Sequence, residues 1–368
     1  MRIVHITKYF SGNGGIESYT RTVAEAAKKA GHEVHVVCAT EKKKYSEMKE
    51  GGIGVIKLPE IATMMNAPIT GPIVPILGKL KPDVIHLHIP NPWAELNVFL
   101  YKLTHPKTRL IVTYHSDVIS YNPLMRLFAI LRLIYLVPAM NFLCDRVIAT
   151  SENYVSGSSA LRLSKNVAVI PIGVDTKKFR PGKNRNRRFT FLFVGRLIPY
   201  KGLDNLIEAC SIVKGSGKNF ILNIAGDGRL YSALKKSASL SGVTDRVRFF
   251  RNVSDKKLPL VYKQCDVFVL PSVYRSEAFG IAQLEAMASG KPVISTDIAG
   301  SGVPFVNKNN VTGIVVRPHD KISLANAMMY MMDNRKLLSK MSKAARCRAV
   351  KFFDCRKTSK RILDVYVR

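Results

Sequence analysis

Residues 2–39 read RIVHITKYFSGNGGIESYTRTVAEAAKKAGHEVHVVCA, and the order of patterns in this stretch sets the fold class. Arg2 to Thr7 is apolar and β-branched with little alternation, as in a strand buried on both faces of a parallel sheet. A glycine-rich turn follows, with Gly12, Gly14 and Gly15 leading into a helical run that ends near Ala30, where Gly31 stands at the position of a helix stop. Glu33 to Ala39 then reads as a second strand. Strand, glycine loop, helix and strand in that order form a βαβ unit.

The pattern continues outward. Strands are expected at residues 84–88, 110–114 and 146–150, separated by lengths able to hold crossover helices. From Ile61 to Leu77 the apolar chain is broken by Pro68, Pro72 and Pro75, which predicts an irregular flap rather than a long helix. At Asp175 to Arg188 a cluster of Lys, Arg and Asn with Pro181 and Gly182 separates two hydrophobic runs, as a linker does. Beyond it the alternation restarts, with strands at 189–194, 220–225 and 267–270 and helices at 203–214 and 229–240. From about Ile322 onward, helical spacing predicts two or three helices. The expected organisation is therefore a Rossmann-like domain over residues 1–174, a linker over 175–188, a second Rossmann-like domain over 189–351, and a final helix over 352–368 that crosses back to the first. Two such α/β halves facing each other would leave a cleft at the carboxyl ends of their strands, where open sheets bind ligands.

Composition narrows the partners. The 368 residues carry 57 Lys and Arg against 26 Asp and Glu, a formal charge of +31. Such a chain attracts nucleic acid, anionic membrane or phosphorylated ligands alike. No zinc-finger spacing and no basic motif interleaved with aromatics supports nucleic acid as the partner. The opening residues are interrupted by His5 and Lys8 and do not fit a secretory signal, so a cytoplasmic setting is expected. The six cysteines form no CxxC pair and read as reduced, packed thiols. Leu124 to Leu143 is interrupted by Arg126, Arg132 and Pro138 and should not span a bilayer. It is either a buried interdomain helix or a basic apolar helix lying in the membrane interface.

Two passages carry chemistry. From Pro271 to Thr296 a strand ends, a loop holds Glu277, and a helix begins near Phe279-Gly280. The free amides of its first turn, at Gly280 and Ile281, suit phosphate oxygens. Glu285, one turn further along that face, is placed to accept from two ribose hydroxyls, and Glu277 from those of a second sugar. The alternative is that Glu277 caps the helix and Glu285 sits in a solvated or buried pair. The second passage is Gly195-Arg196-Leu197-Ile198-Pro199-Tyr200-Lys201-Gly202, directly after a strand. Arg196 and Lys201 there could stabilise a leaving diphosphate, or they could be surface charges. The sequence has no Asp-x-Asp pair to bridge a diphosphate through a metal.

Taken together, these segments resemble the family 4 retaining glycosyltransferases of GT-B fold. The likeness runs through Gly14-Gly15-Ile16-Glu17, His115-Ser116-Asp117, Ile170-Pro171-Ile172-Gly173-Val174-Asp175, Gly195-Arg196 with Lys201-Gly202, and Glu277 through Glu285 to Ile294. The resemblance implies that Arg196 and Lys201 bind the diphosphate, Glu277 the donor sugar, Glu285 the ribose, and the Gly280 and Ile281 amides the distal phosphate. It places His115 against the sugar near the reacting carbon and Gly14 and Gly15 below diphosphate and acceptor, with Gly195 and Phe279 completing the donor-binding set. It implies no cofactor and no metal. Ile172 and Ala278 depart from the family's usual Asn and Pro, which bears on the hinge and loop rather than on the reaction.

The implied reaction is transfer of a sugar from a nucleotide-sugar donor to a hydroxyl with retention. The likeness of 114–117 and 300–304 to polysaccharide-assembly members favours GDP-mannose, with UDP-sugars open. The strong positive balance, the 124–143 segment and the proline-broken flap suit a polyprenyl-diphosphate-linked glycan acceptor at the inner face of the cytoplasmic membrane, in O-antigen, capsule or exopolysaccharide synthesis. A sugar-nucleotide epimerase of the same fold, a catalytically silent partner subunit and a nucleic-acid-binding protein are the competing classes.

Overall fold

A computed structural model describes residues 1–11, 14–42, 44–64, 67–118, 123–182 and 188–367, with the side chains of 123–126 not included. Gly12, the Arg126 side chain and residues 183–187 of the predicted linker lie outside the described residues. The chain divides into two compact units, Met1–Ile172 with Arg356–Arg368, and Gly173–Cys355.

The first unit contains strands β1 (Arg2–Ile6), β2 (Glu33–Thr40), β3 (Ser46–Glu50), β4 (Ile53–Met64), β5 (Ala67–Thr70), β6 (Val84–Ile89), β7 (Arg109–Tyr114), β8 (Arg146–Ala149) and β9 (Val167–Val169). They form one sheet in the order β3-β4-β2-β1-β6-β7-β8-β9, with β5 paired to β4. All neighbours are parallel except β3 and β5, which run antiparallel to β4. The chain builds outward from β1 and then returns to lay β6 on its other side, so the topological switch point lies between β1 and β6.

The expected flap at 61–77 is corrected. It is the end of β4, the strand β5 and a helix over Val74–Leu80. Pro68 sits in a short strand, opposite Thr63, and Pro75 in the first turn of a helix. Both are positions where a missing N–H costs little, so the prolines shape regular elements rather than abolish them. The long helix Pro123–Phe142 carries Arg132 as a buried partner of Glu95. Among the described residues no helix is long and apolar enough to cross a membrane.

The second unit holds β10 (Phe189–Val194), β11 (Phe220–Ala225), β12 (Val247–Phe250), β13 (Val267–Leu270), β14 (Val293–Thr296) and β15 (Gly313–Val316). Their order is β12-β11-β10-β13-β14-β15, parallel throughout. The switch point falls between β10 and β13. Phe191, Phe193 and Phe220 from the sheet and Leu206, Ile207 and Met328 from the helices are wholly buried, each burial stabilising the unit by about 1.5–3 kcal/mol.

The described part of the predicted linker is packed, not free. Phe179 is buried edge-on to Tyr262 at 5.6 Å, and Arg346 donates to the carbonyls of Thr176 and Phe179. Its polar composition reflects exposed Lys177, Lys178 and Arg180 around one buried aromatic anchor. Three helices end the chain, Lys321–Asp333, Arg335–Phe352 and Cys355–Val367. The last joins the first unit, where Tyr366 meets His86 Nδ1 at 2.6 Å and Arg361 donates to the Val169 carbonyl. All six cysteines are free thiols, and four of them are buried.

Candidate active site

At the switch point of the second unit, the loops that leave β10 and β13 lock together. The Val273 N–H donates to the Tyr200 carbonyl at 2.8 Å. Gly202 has φ +66°, and a Cβ there would fall 2.2 Å from the Pro271 carbonyl oxygen, so the approach requires glycine. This contact brings Lys201 to Glu277, with Nζ to Oε2 at 2.5 Å in a buried pair. Ser272 Oγ donates to the same carboxylate oxygen at 2.8 Å, and Ser301 Oγ to the Glu277 carbonyl at 2.5 Å. Burial by itself would lower the Lys201 pKa, but the adjacent Glu277 outweighs it and raises it above the ordinary lysine value. Lys201 is thus a fixed cation, and Glu277 serves it rather than capping a helix.

The helix Ile281–Ala288 starts from Gly280, which sits at φ +76° with no side-chain cap. The Gly280 and Ile281 amides have no hydrogen-bond partner among the described residues, which leaves two donors aimed out of the helix start. The Arg196 side chain is exposed and makes no hydrogen bond among the described residues, while its carbonyl accepts from the Ile198 N–H at 3.1 Å. Gly195 lies at φ +154°, where an L side chain is rarely found, and a Cβ there would fall 3.2 Å from the Phe193 ring and 3.6 Å from Lys201 Nζ. Glu285 is half-buried and accepts from Tyr262 Oη at 2.7 Å. Burial pushes its carboxyl up to about 7, against the pull of the Tyr262 hydroxyl and Lys178. Phe279 differs from its expected place. Its ring is buried against Phe305 and Phe353, so it supports the loop from inside.

In the first unit, Gly14 precedes the helix Gly15–Lys29, and the Glu17 carboxylate accepts from the Ser11 N–H and hydroxyl at 2.8 and 2.6 Å. Asp117 is tied to Tyr114, Tyr154 and Ser158 and holds the loop that follows β7. His115, at the start of that loop, belongs to an array that the sequence reasoning did not single out. His5 Nδ1 lies 3.1 Å from His88 Nε2, and His88 Nδ1 lies 3.1 Å from His115 Nε2. His86 contacts Tyr366 Oη and Thr113 Oγ1, both at 2.6 Å. All four imidazoles are buried, and desolvation drives them neutral, His5 and His115 down to about 3 and His86 and His88 well below the usual range. The signal was present as His-x-His in β6, since alternate strand residues share a face.

One nitrogen from each of His5, His86 and His88 lies within 4.8 Å of the others, the spacing of a three-ligand metal set. Both nitrogens of His86 meet hydroxyls, both of His88 and Nδ1 of His5 meet neighbouring imidazoles, and His5 Nε2 alone of these has no partner among the described residues.

Solved structures identify the fold. Sucrose-phosphate synthase from Thermosynechococcus elongatus superposes with a TM-score of 0.81 at 21% identity, covering 100% of this chain and 98% of its own. The fold is GT-B, that of a glycosyltransferase built from two Rossmann-like domains, as the resemblance implied. The family model for Glycosyltransferase Family 4 matches residues 13–178 and that for Glycosyl transferases group 1 matches 174–348, and the chain belongs to the family 4 glycosyltransferases. O-antigen chain mannosyltransferase C of Escherichia coli is 28% identical over 100% of this chain and 97% of its own length. The D-rhamnosyltransferase WbpZ of Pseudomonas aeruginosa is 29% identical over 96% and 92%.

Proposed function

We propose that this glycosyltransferase moves a sugar, with retention and without a metal, from a nucleotide-diphosphate donor to a lipid-linked glycan during cell-surface polysaccharide synthesis. The observation that carries the reading is the buried Lys201–Glu277 pair beside the unpartnered Gly280 and Ile281 amides. These groups supply fixed positive charge and free donors where a diphosphate would gain charge as it departs. Arg196 adds a second cation, Glu285 receives the ribose hydroxyls, Glu277 and His115 are assigned to the sugar, and Gly14 and Gly15 to the loop beneath the diphosphate and acceptor. In the reaction the C1–oxygen bond to the diphosphate breaks and the bond from C1 to the acceptor oxygen forms. The acceptor proton passes to the departing diphosphate, on the same face.

The mannosyl and D-rhamnosyl transferases among the relatives support GDP-mannose as donor, with a UDP-sugar as the alternative. A membrane partner is supported by two helices of the first unit. Leu96, Leu100 and Leu103 on one, and Leu127, Phe128, Leu131 and Ile134 on the other, are 44–68% exposed. Bidentate contacts of 2.6 and 2.8 Å from Arg132 to Glu95 join the two helices. On a chain of charge +31 such apolar stripes fit an anionic bilayer surface, with a polyprenyl-diphosphate-linked acceptor on the cytoplasmic face. The decisive experiment incubates the protein with a panel of nucleotide sugars and membrane lipid extract and reads the lipid product by mass. A gain of one hexose or deoxyhexose with one donor is expected. A folded protein that transfers none of them and binds neither GDP nor UDP by calorimetry overturns the reading.

A further inference from the structure

We propose that His88 is a positioning residue that makes His115 a hydrogen-bond donor through Nδ1, with His5 fixing the direction from behind; this rests on the assignment of His115 to the sugar. A neutral imidazole has one N–H and one lone pair. The two 3.1 Å contacts, His5 Nδ1 to His88 Nε2 and His88 Nδ1 to His115 Nε2, need one proton each. The three protons therefore all point the same way along the row. His115 has Nε2 occupied, and Nδ1 is what it can offer a ligand.

The far end selects the direction. His5 is wholly buried, and its Nε2 has no partner among the described residues. A buried N–H left unpaired is rarer than an unpaired acceptor, so the proton belongs on His5 Nδ1. His88 then accepts at Nε2 and donates from Nδ1, His115 accepts at Nε2, and the remaining proton of His115 sits on Nδ1. Burial keeps the row uncharged. Tyr19 stands edge-on to both His88 and His115, at 5.8 and 5.0 Å, and the nearby Lys8 further disfavours an imidazolium at His115. A neutral ring that donates at Nδ1 suits a sugar hydroxyl or ring substituent as acceptor, and it cannot act as a cation for the diphosphate.

The test exploits side-chain shape. An asparagine amide occupies the place of Nδ1 of histidine, and a glutamine amide that of Nε2. His88→Asn therefore keeps a partner for His115, whereas His88→Gln keeps one for His5 alone. With the full chain labelled with ¹⁵N-histidine, wild type should show His115 as the Nδ1–H tautomer between pH 6 and 8. His88→Asn should retain that signal, and His88→Gln should lose the single tautomer. GDP release from GDP-mannose with lipid extract should fall about tenfold or more in His88→Gln, with unchanged GDP affinity, and His88→Asn should recover most of that loss. An Nε2–H tautomer of His115 in wild type, or equal behaviour of the two folded variants, overturns the proposal. Unimpaired turnover of His115→Ala would instead discard the sugar assignment, and the tautomer measurement, which needs no substrate, reads the two failures separately.

Discussion

Both units end their central parallel strands at a switch point, yet they equip those ends with opposite chemistry. The second unit places a buried ion pair, two unpartnered amides and an exposed arginine there. The first places four imidazoles that burial keeps neutral. One topology thus supplies a position for ligand groups and leaves their charge to the loops. In the second unit charge is fixed in advance, as stabilisation of a developing diphosphate requires. In the first unit directional hydrogen bonds survive without charge, which suits recognition of hydroxyls.

The contrast can be broken most forcefully at Lys201. Lys201→Ala should lower turnover at least about 100-fold, in line with losses of about 3 kcal/mol for a transition-state donor. It also strands Glu277 as a buried carboxylate, a change that costs about 3–5 kcal/mol when one partner of such a pair is removed. Lys201→Ala with Glu277→Gln should therefore regain thermal stability while turnover stays low, and recovery of both together would mean that the pair is structural. Arg196→Ala should cost about tenfold in turnover and leave the melting temperature unchanged, because the side chain is exposed and unbonded. A third probe compares exposed leucines. Leu131→Ser should weaken binding to anionic vesicles roughly fivefold, whereas Leu240→Ser, on a still more exposed position of the second unit, should leave it unaltered. Equal effects would remove the membrane role from the first unit.

How much of this was legible in the sequence follows from how local each signal is. The βαβ order and the core strands β1, β2, β6, β7, β10, β11 and β13 were readable because burial on both faces makes them continuous apolar runs. The edge strands β3 and β5 were not, since their exposed or proline-bearing sequences carry no such signature. Arg196, Lys201, Glu277 and Gly280 stood out through loop position and residue type. That Lys201 and Glu277 would meet was hidden, because it depends on a glycine-to-carbonyl approach between Gly202 and Pro271, which lie in separate loops. The histidine row was hidden for a similar reason. His5, His88 and His115 come from three chain segments, and parallel pairing alone brings them together.

The smallest expected effect lies at Glu285, and its direction can be worked out. The native carboxyl keeps its proton up to about 7, against an ordinary value of 4.5. Between those values the folded chain binds more protons than the unfolded one, so this group makes stability fall as pH rises from about 4.5 to about 7 and level off above. Glu285→Gln removes that slope, and its melting temperature should vary less than that of wild type across the same window. Binding should show the opposite trend. Ribose hydroxyls need the ionised carboxylate as acceptor, so wild-type affinity for GDP-mannose should rise severalfold from pH 6 to 8, while Glu285→Gln stays weak and flat. GDP-mannose is the suitable probe because its bridged diphosphate has no proton to lose in that range. A wild-type affinity that does not change with pH would mean that the ribose does not reach Glu285, and would confine the ligand's contacts to the Lys201 end of the helix.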